Sequence, residues 1–220
     1  MNPVAPNVSQ ISTAPRHGVN VHLIGDVLID TATRWDRRRL LRALAGVRLT
    51  MVALTHCHPD HQGSAKALCE AHACPLACHE ADRAAAEGRE PMTPPGPIIR
   101  RLSNLLAGPR CPVDRVLRDG DDVAGFRVIE TPGHTPGHII FFRESDRVAI
   151  AGDLARNVNF LTGRTGLAEP PRCFSVDPAQ NRRAIRTLAA LHPELVLLSH
   201  GPPLRDMDLL HRFTTRLITA

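Results

Sequence analysis

The segment from position 56 to position 61 concentrates side chains that bind metal ions. It follows an apolar run and reads His56-Cys57-His58-Pro59-Asp60-His61. In an extended segment alternate side chains share a face, so His56 and His58 can reach the same ion. Pro59 then changes the direction of the chain, which lets Asp60 and His61 reach a second ion. The alternative to a metal site is a solvated loop that is rich in histidine. That alternative applies only if the rest of the chain offers no further metal-binding residues.

Three later motifs place a metal-binding side chain beside a glycine, inside an apolar stretch or just after one. They are Thr131-Pro132-Gly133-His134, Ala151-Gly152-Asp153 and Ser199-His200-Gly201. Thiolates commonly close a structural zinc site, but none of these ligand-type residues is a cysteine. Imidazoles with a few carboxylates suit Zn²⁺ first and Fe, Mn, Co or Ni next, whereas Ca²⁺ and Mg²⁺ prefer oxygen ligands throughout.

These seven ligand-type residues are enough to hold two metal ions. Three neutral nitrogen donors come from His56, His58 and His134. Two further nitrogens and an oxygen come from Asp60, His61 and His200. Asp153 has two oxygens and can bridge the ions, so the protein ligands and a shared water complete two sites.

With these motifs in place, the chain resembles the metallo-β-lactamase-fold metallo-hydrolases. The family signature H-x-H-x-D-H stands at positions 56–61, and the later motifs follow in the family's order at His134, Asp153 and His200. The likeness spans residues 19–203, with Ser199 where many relatives carry glycine before the last histidine. The bridging aspartate belongs to the glyoxalase II and lactonase side of the family.

The resemblance implies a hydrolytic reaction at two divalent ions. Ions held roughly 3.5 to 4 Å apart activate a shared water as a bridging hydroxide near neutral pH, and they polarise the substrate carbonyl. Asp60 and Asp153 are therefore the expected catalytic carboxylates. Asp30, which matches an acidic residue of the family, and Thr55 are expected to orient ligands by hydrogen bonds. His138 is expected to play a supporting or structural role, because the ligand shells are filled without it.

The order of predicted elements indicates an α/β fold. Strands at 21–24 and 27–30 flank a Gly25-Asp26 turn, which is a hairpin signal, and further strands and helices alternate without an internal repeat. The resemblance implies more: a four-layer αβ/βα metallo-β-lactamase sandwich in a single domain, with the metal site at one edge between two sheets. We expect residues 18–220 to form this domain and residues 1–17 to be a flexible N-terminal segment.

Two segments interrupt the alternation and are expected to shape the substrate pocket. Residues 88–112 are rich in proline and glycine but enclose an apolar helical pattern, which suits a lid insertion or a surface excursion packed on the core. Residues 154–176 start beside Asp153, so an arginine within them can clamp a substrate carboxylate. The candidates for this role are Arg156, Arg164 and Arg172.

The composition limits which partners and which cellular location we expect. The 220 residues are 43% hydrophobic, enough for one sizeable core, and they contain no apolar run of membrane-spanning length and no secretory signal. We therefore expect a cytoplasmic protein with reduced cysteines and no membrane association. The net charge of +5 comes from arginines that are scattered along the chain. The chain has no tyrosine, and Trp35 is its single tryptophan, so few side chains could stack on bases. We therefore expect no nucleic-acid binding. We expect the partner to be a small-molecule substrate, which can be anionic.

Several features narrow the substrate. We do not expect a true β-lactamase, because no secretory signal is evident. We also do not expect a glyoxalase II, because only about twenty residues follow His200 and that group carries a glutathione-binding domain there. Acyl-homoserine lactonases usually present a tyrosine to the substrate, and this chain has none. A small thioester, ester or lactone remains. The alternative activity is a persulfide dioxygenase of the same fold. Its single iron would be held by His56, His134 and Asp153, which leaves the other four ligands unexplained.

Overall fold

Two β-sheets packed face to face form the centre of the fold. The computed structural model describes residues 1–92, 101 and 105–217, apart from the side chain of Arg16. The first sheet contains, in spatial order, β1 (Asn2–Ala5), β2 (Val8–Ser12), β3 (Asn20–Ile24), β4 (Val27–Ile29), β5 (Met51–Ala53), β6 (Leu76–His79) and β7 (Arg115–Leu117). The second contains β8 (Asp122–Val123), β9 (Phe126–Glu130), β10 (Ile139–Arg143), β11 (Val148–Gly152) and β12 (Leu195–Leu198), also side by side in that order.

Strand direction decides which loops can meet. The strands from β1 to β4 are antiparallel neighbours, whereas those from β4 to β7 are parallel. In the second sheet β10 is antiparallel to both β9 and β11, and β11 is parallel to β12. The strands β9, β11 and β12 therefore run in one direction, and their carboxyl ends share an edge.

Helices cover the outer faces of the sheets. They are α1 (Arg37–Ala43), α2 (Pro59–Gln62), α3 (Ala65–His72), α4 (Glu80–Ala86), α5 (Pro178–Ala190) and α6 (Met207–Arg216), with 3₁₀ turns at Pro15–His17, Arg34–Asp36 and Arg172–Phe174. The helices α1 and α3 pack on the first sheet, and α5 and α6 pack on the second. The layers confirm the predicted four-layer αβ/βα sandwich in a single domain. None of the helices described is both long and apolar enough to span a membrane.

Alternation of side chains along each strand builds three apolar layers. In β5, Met51 and Ala53 face the opposite sheet, whereas Val52 faces the helices. In β10, Phe141 faces the opposite sheet, whereas Phe142 packs under α5 and α6. Because both faces of these strands are buried, the strands read as continuous apolar runs rather than as alternating polar and apolar residues.

The N-terminal residues correct one prediction from the sequence. Residues 1–17 were expected to be flexible, but β1 pairs with β2 and β2 pairs with β3. Val8 is buried in the layer between the sheets, and Ile11 is buried on the helix side of the first sheet. Residues 2–12 are therefore part of the sheet, since their apolar side chains gain burial on both faces.

The middle of the predicted lid at 88–112, residues 93–100 and 102–104, lies outside the described residues, so the lid stays a prediction. The described end of this segment packs closely on the domain. A Cβ added to Gly108 would come within 2.0 Å of the Gly63 carbonyl oxygen, and Cys111 is buried in the core beside α3. The segment thus returns to the first sheet next to the helix α2.

The layer between the sheets gives the first testable prediction. Phe141 is fully buried there, and Phe141→Ala should lower the free energy of unfolding by about 3–5 kcal/mol because it leaves a cavity in that layer. The matched control is Phe160→Ala, at a ring that is 54% exposed, and it should cost about 1 kcal/mol or less. Urea denaturation at equal metal content measures both. Equal losses would show that the inter-sheet layer does not dominate stability.

Candidate metal centre

The predicted ligands lie just beyond the carboxyl ends of strands, at one edge of both sheets. His56 follows β5, His134 follows β9, Asp153 follows β11 and His200 follows β12. Pro59 starts the short helix α2, which carries Asp60 and His61. The structure brings all of these side chains together with His58, in two adjacent groups of ligand-type atoms.

The first group consists of His56, His58 and His134. His58 Nδ1 lies 3.1 Å from His56 Nε2 and 3.0 Å from His134 Nε2. The opposite ring nitrogens contact hydroxyls, at 3.1 Å between His56 Nδ1 and Thr55 Oγ1 and at 3.1 Å between His134 Nδ1 and Ser175 Oγ. Burial, reinforced by the neighbouring imidazoles, holds the pKa of His56 and of His134 well below the ordinary value. Both rings are therefore neutral, which is the form that binds a metal ion.

The second group consists of Asp60, His61, Asp153 and His200. Asp153 Oδ2 lies 3.6 Å from His61 Nε2 and 3.2 Å from His200 Nε2. The same oxygen lies 3.5 Å from His134 Nε2, which belongs to the first group. Asp60 approaches His200 Nε2 to 3.4 Å. Asp153 thus contacts both groups, which is the position that a bridging carboxylate requires.

Two atoms of the second group are buried without a hydrogen-bond partner, namely His61 Nε2 and Asp153 Oδ1. A buried polar atom that lacks a partner costs about 1–3 kcal/mol, and a divalent ion between these atoms would satisfy both. Burial opposes a charge on His200, yet Asp153 and Asp60 raise its pKa to about 10. The carboxylates therefore favour a positive charge at this point, and the donor set fits a metal ion.

Hydrogen bonds fix the tautomers of the ligand histidines. Asp30 Oδ2 accepts from His61 Nδ1 at 2.9 Å and from the Thr55 hydroxyl at 2.8 Å, while its Oδ1 accepts from the Thr55 backbone N–H at 2.8 Å. His200 Nδ1 donates to the Gly18 carbonyl at 2.5 Å. With Nδ1 as the donor, the Nε2 atom of both rings points into the second group, where the carboxylates hold its proton until a metal ion replaces that proton. The predicted orienting contacts of Asp30 and Thr55 are present.

His138 supports Asp153 rather than joining the ligands. Its Nε2 accepts from the Asp153 backbone N–H at 3.2 Å, and its Nδ1 contacts the Thr131 hydroxyl at 2.9 Å. Burial lowers the pKa of His138 to about 3, so the ring stays neutral and can accept this hydrogen bond.

Asp82, on the helix α4, was not singled out from the sequence. Its carboxylate accepts from the Cys57 backbone N–H at 2.7 Å, the Thr135 hydroxyl at 2.8 Å and the Gly137 backbone N–H at 2.8 Å. A Cβ on Gly137 would come within 2.7 Å of this carboxyl group, so glycine is required there. One buried carboxylate thus ties the loop of His56 and His58 to the loop of His134. In the sequence it resembles an ordinary acidic residue in the first turn of a helix.

The N-terminal part of the first sheet positions His200. Asn20 Nδ2 donates to the Gly201 carbonyl at 2.8 Å, and the Asn20 backbone N–H donates to the Ser199 carbonyl at 2.8 Å. The Gly201 N–H donates to the His17 carbonyl at 2.7 Å. The loop of His200 is therefore held by backbone and side-chain contacts that its own sheet does not supply.

A cavity of about 510 Å³ opens on the two groups. Of the three arginines predicted to bind substrate, Arg156 lines this cavity, whereas Arg164 and Arg172 are exposed to solvent and are not part of its walls. Arg156 Nη1 donates to the Val158 carbonyl at 2.6 Å and its Nε donates to the Glu169 carbonyl at 3.3 Å. Much of this guanidinium is therefore engaged by its own loop.

Asp30 provides a test of tautomer control. Its φ of 62° lies in the left-handed region, which asparagine tolerates, so Asp30→Asn should fold. The new amide N–H₂ can donate to His61 Nδ1, which would move the ring proton to Nε2 and weaken metal binding about 10- to 100-fold. Competition with a chelator measures this loss. The control is Asp26→Asn, at an exposed residue in the same hairpin; equal affinities in the two variants would contradict the role of Asp30.

Asp82 provides a test of loop positioning. In Asp82→Asn, one carboxylate oxygen becomes an amide N–H₂ that faces an N–H donor, which leaves a buried donor unpaired and costs about 1–3 kcal/mol. Metal affinity should fall about 10-fold, because the two histidine loops lose their common anchor. Asp208→Asn, on the exposed first turn of α6, is the matched control. The account of Asp82 fails if its variant binds metal as tightly as the control does.

Comparison with known proteins agrees with this geometry. A model of the metallo-beta-lactamase superfamily matches residues 14–200. A probable metallo-hydrolase of Bacillus subtilis (strain 168), YflN, is 33% identical over 178 residues, which cover 72% of this chain and 67% of that protein. A hydroxyacylglutathione hydrolase of Fuscovulum blasticum is 34% identical over 166 residues, which cover 73% of this chain and 52% of that protein.

Solved structures share the fold over nearly the whole chain. TTHA1623, solved in a di-iron-bound form, is 27% identical with a TM-score of 0.67, and the match covers 96% of this chain and 95% of that one. The resemblance inferred from the ligand motifs is thereby confirmed. The chain belongs to the metallo-beta-lactamase superfamily.

Proposed function

We propose that this protein is a dinuclear metal-dependent hydrolase that acts on a small thioester, ester or lactone. Membership of the superfamily and the grouped histidines and aspartates imply divalent metal ions and a hydrolase. One observation carries the dinuclear proposal: two groups of ligand-type atoms lie side by side, and Asp153 contacts both. A single ion held by one group would leave the ligand-type atoms of the other group without a metal ion.

The division of ligands follows from these contacts. One ion would be held by His56, His58 and His134, and the other by Asp60, His61 and His200, with Asp153 shared between them. Divalent ions in such sites lower the pKa of water to about 7 and polarise a substrate carbonyl. We propose Zn²⁺ as the first candidate, and the di-iron form of TTHA1623 makes iron the second.

The chain's own residues hold the geometry in which this chemistry occurs. The carboxylates of Asp60 and Asp153 border the cavity and would place negative charge beside the metal ions. His138 fixes the backbone of Asp153, and Asp30 fixes the ring of His61. These groups are arranged before substrate enters, so the reaction requires little reorganisation of the protein.

The competing dioxygenase proposal is less well supported. A single iron on His56, His134 and Asp153 would leave His58 within 3.1 Å of two ligand nitrogens with no role. It would also leave the orphaned Nε2 of His61 unsatisfied. The donor set therefore favours the hydrolase.

The acyl substrate class draws on the relatives. Proteins named hydroxyacylglutathione hydrolase are 34% and 32% identical to this chain, which spans about half their length. Because the rest of those proteins is unmatched, we carry over an acyl substrate and not glutathione itself.

The direct test combines metal analysis with a substrate screen. Protein loaded with Zn²⁺ or Fe²⁺ should hold two ions per chain and hydrolyse at least one neutral thioester, ester or lactone without consuming oxygen. In Asp153→Ala, kcat/KM should fall by at least about 100-fold, since electrostatic stabilisation of the transition state is lost, and the metal content should drop below two.

The control for this substitution is Glu144→Ala, because Glu144 is an acidic residue whose side chain is 63% exposed. It should leave both metal content and turnover unchanged. Unaltered turnover in Asp153→Ala would refute the dinuclear mechanism. One iron per chain together with oxygen uptake would support the dioxygenase instead.

A further inference from the structure

Most of the exposed large apolar side chains stand on segments that line the cavity. In the described part of the chain they are Met1, Trp35, Leu105, Phe160, Leu161 and Val176. Phe160 lines the cavity, and Trp35, Leu105 and Val176 stand within two positions of a residue that lines it, whereas Leu161 is 96% exposed and is not part of the wall. Clustered exposed apolar surface marks a binding site more often than scattered residues do.

The cavity walls are also apolar. Above the ligand residues, the wall is formed largely by Val19, Leu106, Phe160, Pro170, Pro171 and Phe174. Outside the two ligand groups, Arg156 is the charged residue among the described wall residues. Its Nε and Nη1 donate to backbone carbonyls of its own loop. The walls therefore offer mainly apolar contact.

Phe160 is held beside the metal site by the loop that follows Asp153. The loop is closed by paired backbone hydrogen bonds of 2.9 and 3.0 Å between Arg156 and Ala168. It is tied to the metal site by the Asn157 N–H, which donates to the His200 carbonyl at 2.7 Å. The Phe160 ring stands edge-on to the His200 ring, with centroids 5.2 Å apart. A half-exposed aromatic ring is thus fixed over a ligand of the site.

We propose that this cavity binds the apolar acyl group of the substrate and that Phe160 sets the preference for longer acyl chains. The inference rests on the proposed function, because a carbonyl that reacts at the ligand residues leaves its acyl chain against these walls. A volume of about 510 Å³ suits a small acyl group with part of its leaving group. A charged chain end would lose hydration there, and Arg156, the one charged wall residue described outside the ligand groups, already donates to two carbonyls of its own loop.

A series of N-acetylcysteamine thioesters tests the proposal on the metal-loaded protein. From acetyl to octanoyl, kcat/KM should rise by up to about 4-fold per methylene group until the cavity is filled, because each methylene leaves water for apolar walls. Hexanoyl should exceed adipoyl, which has the same length but ends in a carboxylate, by at least about 10-fold. A flat series, or a preference for adipoyl through Arg156, would overturn the proposal.

Two variants on one loop assign the effect to Phe160. Phe160→Ala should lower kcat/KM for octanoyl about 10-fold, through lost apolar contact, and should change it less than about 2-fold for acetyl. Phe160→Leu should recover most of the loss. The control is Leu161→Ala, because Leu161 is 96% exposed and outside the wall, and it should leave the series unchanged. Equal losses for acetyl and octanoyl would show a structural role for Phe160 and refute the inference.

A binding measurement separates this inference from the proposed function. Thioethers of N-acetylcysteamine with ethyl to octyl chains cannot be hydrolysed, and their affinity can be followed by calorimetry and by the fluorescence of Trp35, the single tryptophan. Affinity that rises with chain length supports the apolar subsite even if every thioester resists hydrolysis, a result that would refute the hydrolase. Hydrolysis combined with affinity that does not depend on length would retain the hydrolase and refute the subsite.

Discussion

Three carboxylates buried at one edge of the sheets impose the central constraint on this structure. Asp30, Asp82 and Asp153 are 1%, 3% and 7% exposed, and a buried charge must be compensated. Asp30 and Asp82 each accept three hydrogen bonds from neighbouring donors. Asp153 instead faces histidine nitrogens and retains an oxygen without a partner. A metal cation at Asp153 would satisfy that oxygen, and the other two carboxylates build the frame around it.

That frame explains why distant parts of the chain must come together. Asp82 joins a loop of the first sheet to a loop of the second, and Asn20 joins the first sheet to the loop of His200. Neither contact can form unless the sheets are packed face to face. The apolar layer that contains Phe141 therefore sets the position of the ligands as well as the stability of the fold.

The sequence predicted the parts of the site that depend on local spacing. The alternation of His56 and His58 and the turn at Pro59 are short-range features, and the layered fold came from a resemblance carried by the ligand motifs. Asp82 could not be predicted in the same way, because its three donors stand 25, 53 and 55 residues away along the chain. Only the packing of the two sheets brings them to one carboxylate.

The N-terminal segment was mispredicted for an identifiable physical reason. The prolines and polar residues of positions 1–17 suggest flexibility, yet Val8 and Ile11 find burial on opposite faces of the sheet. Tertiary contacts decide this position, which local composition cannot. Hydrogen bonds around Asn159 turn the later loop, and Arg164 is exposed outside the cavity wall, so its contact with substrate stays a prediction.

The claim on which this account depends is that two ions share Asp153. Anomalous diffraction from crystals of the metal-loaded protein measures it most directly. The account predicts two peaks, one among His56, His58 and His134 and the other among Asp60, His61 and His200, with Asp153 beside both. A single peak at full metal loading, or a second peak away from Asp153, would contradict it.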